Sequence, residues 1–134
     1  MDKIGGDKIM KELILKKCLK CGSLIKIIED CNCSDCGIVC CGESMSKIIP
    51  NSVDASAEKH VPCYEIIGKE MKISVNHVME DDHYIEWILV KTENENMEKI
   101  FKSGEVAEFV VPYVKGSIIY AYCNKHGLWK KEVE

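Results

Sequence analysis

In Tyr84-Ile85-Glu86-Trp87-Ile88-Leu89-Val90, period two puts Ile85, Trp87 and Leu89 on one face, the pattern of a half-buried strand. Residues 71–75, 107–111 and 117–123 are also short, rich in β-branched or aromatic residues, and separated by charged turns. Lys115-Gly116 and Ser103-Gly104 mark turns. Five or more short strands in about 80 residues predict an antiparallel sandwich or barrel. Residues 50–57 (PNSVDASA) are small and polar, and read as a linker or leading loop.

The whole chain has 134 residues, 46% hydrophobic and 30% charged, which is the balance of an ordinary globular protein. No apolar run reaches the roughly 18 residues of a membrane span, and the first ten residues lack the apolar centre of a signal peptide. The expected location is therefore the cytoplasm, with no membrane partner. Residues 1–50 carry eight lysines against seven acids, and residues 51–134 ten lysines against fifteen acids, with no arginine anywhere. Such a surface offers nucleic acid no basic face.

Cysteine is the anomaly. There are nine, and seven fall between Cys18 and Cys41. An odd number cannot all pair internally, and in a reducing compartment such a set more often binds metal. Cys18-Leu19-Lys20-Cys21-Gly22 is a C-x2-C knuckle whose turn aims two thiolates at one ion, and Cys40-Cys41-Gly42 supplies a second pair. Four thiolates suit zinc or iron, and spacing alone favours a structural zinc knuckle. This zone is too short and too poor in large apolar residues for its own core, so a metal would have to substitute. Cys31, Cys33 and Cys36 exceed what one tetrahedral ion needs, and are either spare surface thiols or part of a larger iron–sulfur centre.

All four histidines lie in the C-terminal part, at His60, His77, His83 and His126. A lone histidine is more often a surface residue than a ligand. Cys123-x2-His126 at the end of an apolar strand is stronger, since a thiolate and an imidazole three residues apart can share one ion.

Three segments carry a resemblance: Glu58-Lys59-His60-Val61-Pro62, His83-Tyr84-Ile85-Glu86-Trp87 and Cys123-Asn124-Lys125-His126-Gly127-Leu128-Trp129. They resemble the signatures of superoxide reductases, and the cysteine pairs ahead of them resemble the desulforedoxin-like module of the two-iron desulfoferrodoxin type. The likeness spans about residues 15–134. It implies an all-β fold, an immunoglobulin-like antiparallel β-sandwich over residues 49–134, with a small N-terminal cysteine-rich metal-binding module over residues 1–48. It implies a non-haem iron (Fe2+/Fe3+) with His60, His77, His83 and His126 as equatorial ligands and Cys123 as axial thiolate. A second iron would sit on Cys18, Cys21, Cys40 and Cys41 as a tetrathiolate, or in an iron–sulfur cluster recruiting Cys31, Cys33 or Cys36.

The implied activity is one-electron reduction of superoxide to hydrogen peroxide, supplied by a rubredoxin-like or other small donor. The residue-level alternative is a non-catalytic iron electron carrier or metal-binding protein. Lys59 would draw in the anion and organise the water that protonates the product, and Glu58 would cap the sixth position of ferric iron after turnover. Desulforedoxin-like modules often dimerise, so a homodimer is an expectation. Two departures stand out: Val78 follows His77 where the family has proline, and Cys63 stands where it has an aliphatic residue. Cys63 reads as a small buried strand residue. The amides of residues 124–126 are expected to donate to the Cys123 sulfur.

Overall fold

A computed structural model describes residues 12–31 and 37–134, so Cys33 and Cys36 lie outside the described residues. Apart from one helical turn, the regular elements among the described residues are strands. The N-terminal part contains β1 (Ile14–Lys17), β2 (Leu24–Ile27), β3 (Val39–Cys40), β4 (Glu43–Ser44) and β5 (Ser46–Lys47). The helical turn α1 (Ala57–His60) follows. Seven strands remain: β6 (Cys63–Ile67), β7 (Glu70–Ser74), β8 (Ile85–Lys91), β9 (Asn96–Ile100), β10 (Glu108–Pro112), β11 (Ile118–Cys123) and β12 (Gly127–Glu132).

These seven form two antiparallel sheets, ordered β10-β7-β6 and β12-β11-β8-β9. Their inner faces meet in a core that includes Met71, Ile73, Val90, Val111, Ile119 and Ala121. This is the expected immunoglobulin-like sandwich, and the alternating burial of β7 shows its cause: Met71 and Ile73 face inward, while Glu70 and Lys72 face out.

Strand β11 is buried along its whole length, which alternation alone does not explain. Its odd-numbered residues, Ile119, Ala121 and Cys123, belong to the sandwich core. Its even-numbered residues, Ile118, Tyr120 and Tyr122, belong to a second cluster with Leu13, Leu15 and Leu128. The N-terminal sheet, ordered β2-β1-β5, therefore has an apolar partner on the back of the four-stranded sheet. The Leu13 amide donates to Tyr120 Oη at 3.1 Å, and Lys130 Nζ meets Glu12 Oε1 at 2.6 Å. The cysteine zone thus lacks a core of its own, as expected, but it shares one with the sandwich rather than relying on metal alone.

Strand β8 corrects the reading of its faces. Ile85 lies in the sandwich core, whereas Trp87 and Leu89 pack in the second cluster. The cause is a register shift: Tyr122 pairs with Trp87, but Cys123 pairs with Ile85, so Glu86 is the extra residue of a β-bulge. A bulge inverts the alternation beyond it.

Cys63 is a second correction. It opens β6 as a strand residue but is exposed, because its register partner Ser74 lies on the outer face of β7, opposite the inward Ile73. Among the described residues, no helix is long and apolar enough to cross a membrane.

Candidate metal centres

Four local structures deliver five donors to one point. The turn α1 carries His60, which is 4% exposed and whose Nδ1–H donates to the Ser56 carbonyl at 2.7 Å. That bond leaves Nε2 as the atom with a free lone pair. His77 follows β7, and its Nδ1–H donates to the Val78 carbonyl, which likewise frees Nε2. His83 precedes β8 in a bridge closed by the Glu80 amide on the His83 carbonyl at 2.9 Å. Cys123 ends β11, and His126 follows in the three-residue connection to β12.

That connection is tight because Gly127 has φ of 80°, a left-handed conformation that side chains with a Cβ disfavour. It turns the His126 amide onto Cys123 Sγ at 3.3 Å. The Asn124 amide does not join it, because it donates to the Tyr84 carbonyl at 3.2 Å instead. Of the amides expected at the sulfur, the one observed is that of His126.

The donor atoms of His60, His77, His83, Cys123 and His126 all lie within 4.8 Å of one another. His60 Nε2 is 3.1 Å from His126 Nδ1, His83 Nε2 is 3.3 Å from that atom, and Cys123 Sγ is 3.4 Å from His77 Nε2. Burial pulls the imidazolium forms of His60, His77 and His83 below the ordinary 6.5, and neighbouring rings add to it. Neutral imidazoles are what a metal requires. Trp129 belongs to the sequence motif without a role assigned there. Its ring stacks on His60 with centroids 4.9 Å apart, and its Nε1–H donates to the His126 carbonyl at 3.1 Å. An aromatic three residues beyond a ligand histidine was the available signal.

The second group is Cys18, Cys21, Cys40 and Cys41, whose sulfurs also lie within 4.8 Å of one another. In the knuckle, the Gly22 amide donates to the Cys18 carbonyl at 2.9 Å and the Cys21 amide to Cys18 Sγ at 3.4 Å. Opposite it, Cys41 and Gly42 both have positive φ, 55° and 78°, so they are the two central residues of a type I′ hairpin turn between β3 and β4. Left alone, the sulfurs conflict. Cys21 is drawn down to about 6, first by the Ser23 hydroxyl, while Cys40 is pushed up to about 12, first by the Cys21 sulfur. A cation at their centre removes that conflict, since all four then serve as thiolates. Cys31 is exposed and stands outside this group.

One donor set of four imidazole nitrogens and a thiolate, and another of four thiolates, on an all-β sandwich define a protein with two metal centres, both suited to iron. Residues 52–132 match the desulfoferrodoxin family model. The chain belongs to the desulfoferrodoxin family. It is 36% identical to the desulfoferrodoxin of Nitratidesulfovibrio vulgaris over 121 residues, covering 87% of this chain and 93% of that one. It is 35% identical to that of Syntrophotalea carbinolica over 127 residues, covering 91% and 98%. Among solved structures, the superoxide reductase of Treponema pallidum has a TM-score of 0.67 at 27% identity, covering 90% of this chain and 99% of its own. The one-iron superoxide reductase of Giardia intestinalis has a TM-score of 0.50 at 26% identity, covering 57% and 98%. Both donor groups fit the iron sites of this family.

Proposed function

We propose that the protein is a superoxide reductase, with residues 49–134 as the catalytic domain and residues 1–48 as a second iron-binding module. The supporting observation is the asymmetry of the five-donor site. Cys123 is 0% exposed, while His77, His83 and His126 are half-buried, so the sulfur lies beneath a ring of imidazoles that reaches the surface. Iron held by these five donors would keep a coordination position for a small anion, which the half-buried imidazoles leave within reach of the surface. Iron bound there supplies the single electron that, with two protons, converts one superoxide to one hydrogen peroxide.

The chain's own residues do the rest. The His126 amide on Cys123 Sγ withdraws charge from the sulfur and tempers its donation. Ser56 and Val78 hold two of the rings in the ligating tautomer. Lys59 and Glu58 are both exposed on α1, one and two residues before His60. Lys59 steers the anion inward and orders the water that delivers protons, and Glu58 shields the open face after turnover. The acidic sandwich repels an anion at long range, so attraction must act within a Debye length of about 8 Å. Lys125, the other nearby candidate, is partly neutralised by Asp82 at 3.6 Å, whereas Lys59 has no ion pair among the described residues.

The electron donor is a rubredoxin-like or other small redox protein. The deciding experiment mixes anaerobic ferrous protein with a superoxide pulse: one peroxide per iron oxidised supports the reading, and no peroxide sinks it. Azide or cyanide binding to the ferric form separates this reading from that of a closed electron carrier, whose spectrum would not respond.

A further inference from the structure

We propose that Asn124 is the positioning residue for His83, an inference that rests on the iron-site reading above. His60 and His77 are each oriented by a hydrogen bond from Nδ1 to a backbone carbonyl. No such bond orients His83 among the described residues, although its Nε2 sits 3.3 Å from His126 Nδ1. Its placement must therefore come through its backbone.

The Glu80–His83 bridge fixes one edge of that backbone, and Asn124 grips it on both sides of His83. The Asn124 side-chain Oδ1 accepts the Tyr84 amide at 3.0 Å, and its backbone amide donates to the Tyr84 carbonyl at 3.2 Å. Its Nδ2 donates to the Asp82 carbonyl at 3.0 Å. Residues 82 and 84 flank His83, and Asn124 directly follows Cys123. One side chain thus ties the segment carrying one donor to the strand end carrying another. The β8–β11 ladder changes register at Tyr122/Cys123, and beyond that bulge the Asn124 side-chain carbonyl takes the place of a strand carbonyl toward Tyr84. Both ends of the amide are used, so an isosteric carboxylate keeps the acceptor but loses the donor to Asp82. Residues that hold ligands in this way typically contribute about 10–100-fold to metal affinity.

The test is anaerobic titration of the metal-free full chain with Fe2+ against a competing chelator, together with the visible band that the Cys123 thiolate, as distinct from the four-cysteine centre, gives the ferric form. Asn124→Ala should lose about 10–100-fold in affinity and shift the band. Asn124→Asp should recover part of both. Thr92→Val removes the hydroxyl that accepts the Glu95 amide at 3.0 Å in the β8–β9 turn, and should change neither. Wild-type affinity and band in Asn124→Ala overturn the proposal, as does an equal loss in Thr92→Val, which would mean general destabilisation. Should the alanine variant fail to fold, the aspartate variant decides: reduced affinity with a shifted band supports the role, and wild-type values overturn it. A wild-type protein that binds iron but reduces no superoxide would defeat the functional reading and leave this one standing.

Discussion

Cys123 concentrates the chemistry of this molecule in one atom, a buried sulfur that accepts one backbone amide and lies among four imidazoles. Replacing it with serine keeps the size but removes the soft, polarisable donor. Cys123→Ser should keep the fold, lose the ferric band that belongs to the Cys123 thiolate while keeping that of the four-cysteine centre, and bind ferrous iron more weakly at the histidine site in a chelator competition. His60, His77 and His83 carry a pH dependence. Their folded-state pKa values lie below 6.5, so in the metal-free protein the unfolded chain takes up protons first. Their contribution is full above 6.5 and is lost as pH falls from there through the folded values. The urea midpoint of metal-free protein should therefore be lower at about pH 5 than at about pH 7.5. At the surface, Lys59→Ala should slow the second-order reaction with superoxide and flatten its salt dependence, with iron content unchanged. Lys125→Ala should do less, because Asp82 already faces that ammonium; pulse radiolysis at several ionic strengths measures both.

Strand β11 is the element on which the structure turns. Its short apolar sequence reads as a strand from composition, and the observed Ile118–Cys123 agrees with the expected 117–123 to one residue. Period two does not say that both faces are covered, because the covering comes from residues more than 100 positions away in the chain. The hydroxyl of Tyr120, on a ring buried at 0% exposure, accepts the Leu13 amide. Tyr120→Phe leaves that amide without its partner and should cost about 1–3 kcal/mol, read from denaturant midpoints. Burial also raises the Tyr120 pKa above 10. Its stabilising contribution is therefore present below pH 10 and is lost as pH rises through the folded value, a decline that the Phe variant should lack. On β8 the alternation was legible but its continuity was not. The extra residue Glu86 sends Ile85 to the opposite face from Trp87, and a one-residue bulge leaves no mark in a two-residue period.

At the scale of the molecule, two centres share one scaffold, and the second apolar cluster joins them. Leu15, 3% exposed on β1, fills that cluster. Leu15→Ala should cost about 2–5 kcal/mol and loosen the N-terminal sheet, with faster amide exchange in β1 and β2 than in β7. Anaerobically purified protein should contain one iron for each of the two donor groups and no acid-labile sulfide. Stoichiometric sulfide would instead point to a cluster that draws on the cysteines between positions 31 and 36.

Donor types and sheet class follow from the amino-acid sequence, because ligand chemistry is a matter of residue type and strand formation a matter of local pattern. Both cysteine pairs and Cys123-x2-His126 were legible for that reason, whereas His60, His77 and His83 entered the donor set only through the motifs that resemble superoxide reductases. That Cys63 faces solvent, that β11 is covered on both sides, and that Asn124 brackets His83 emerge only in the folded chain. Each of these depends on which distant segment occupies the space beside a residue, and no local spacing encodes that.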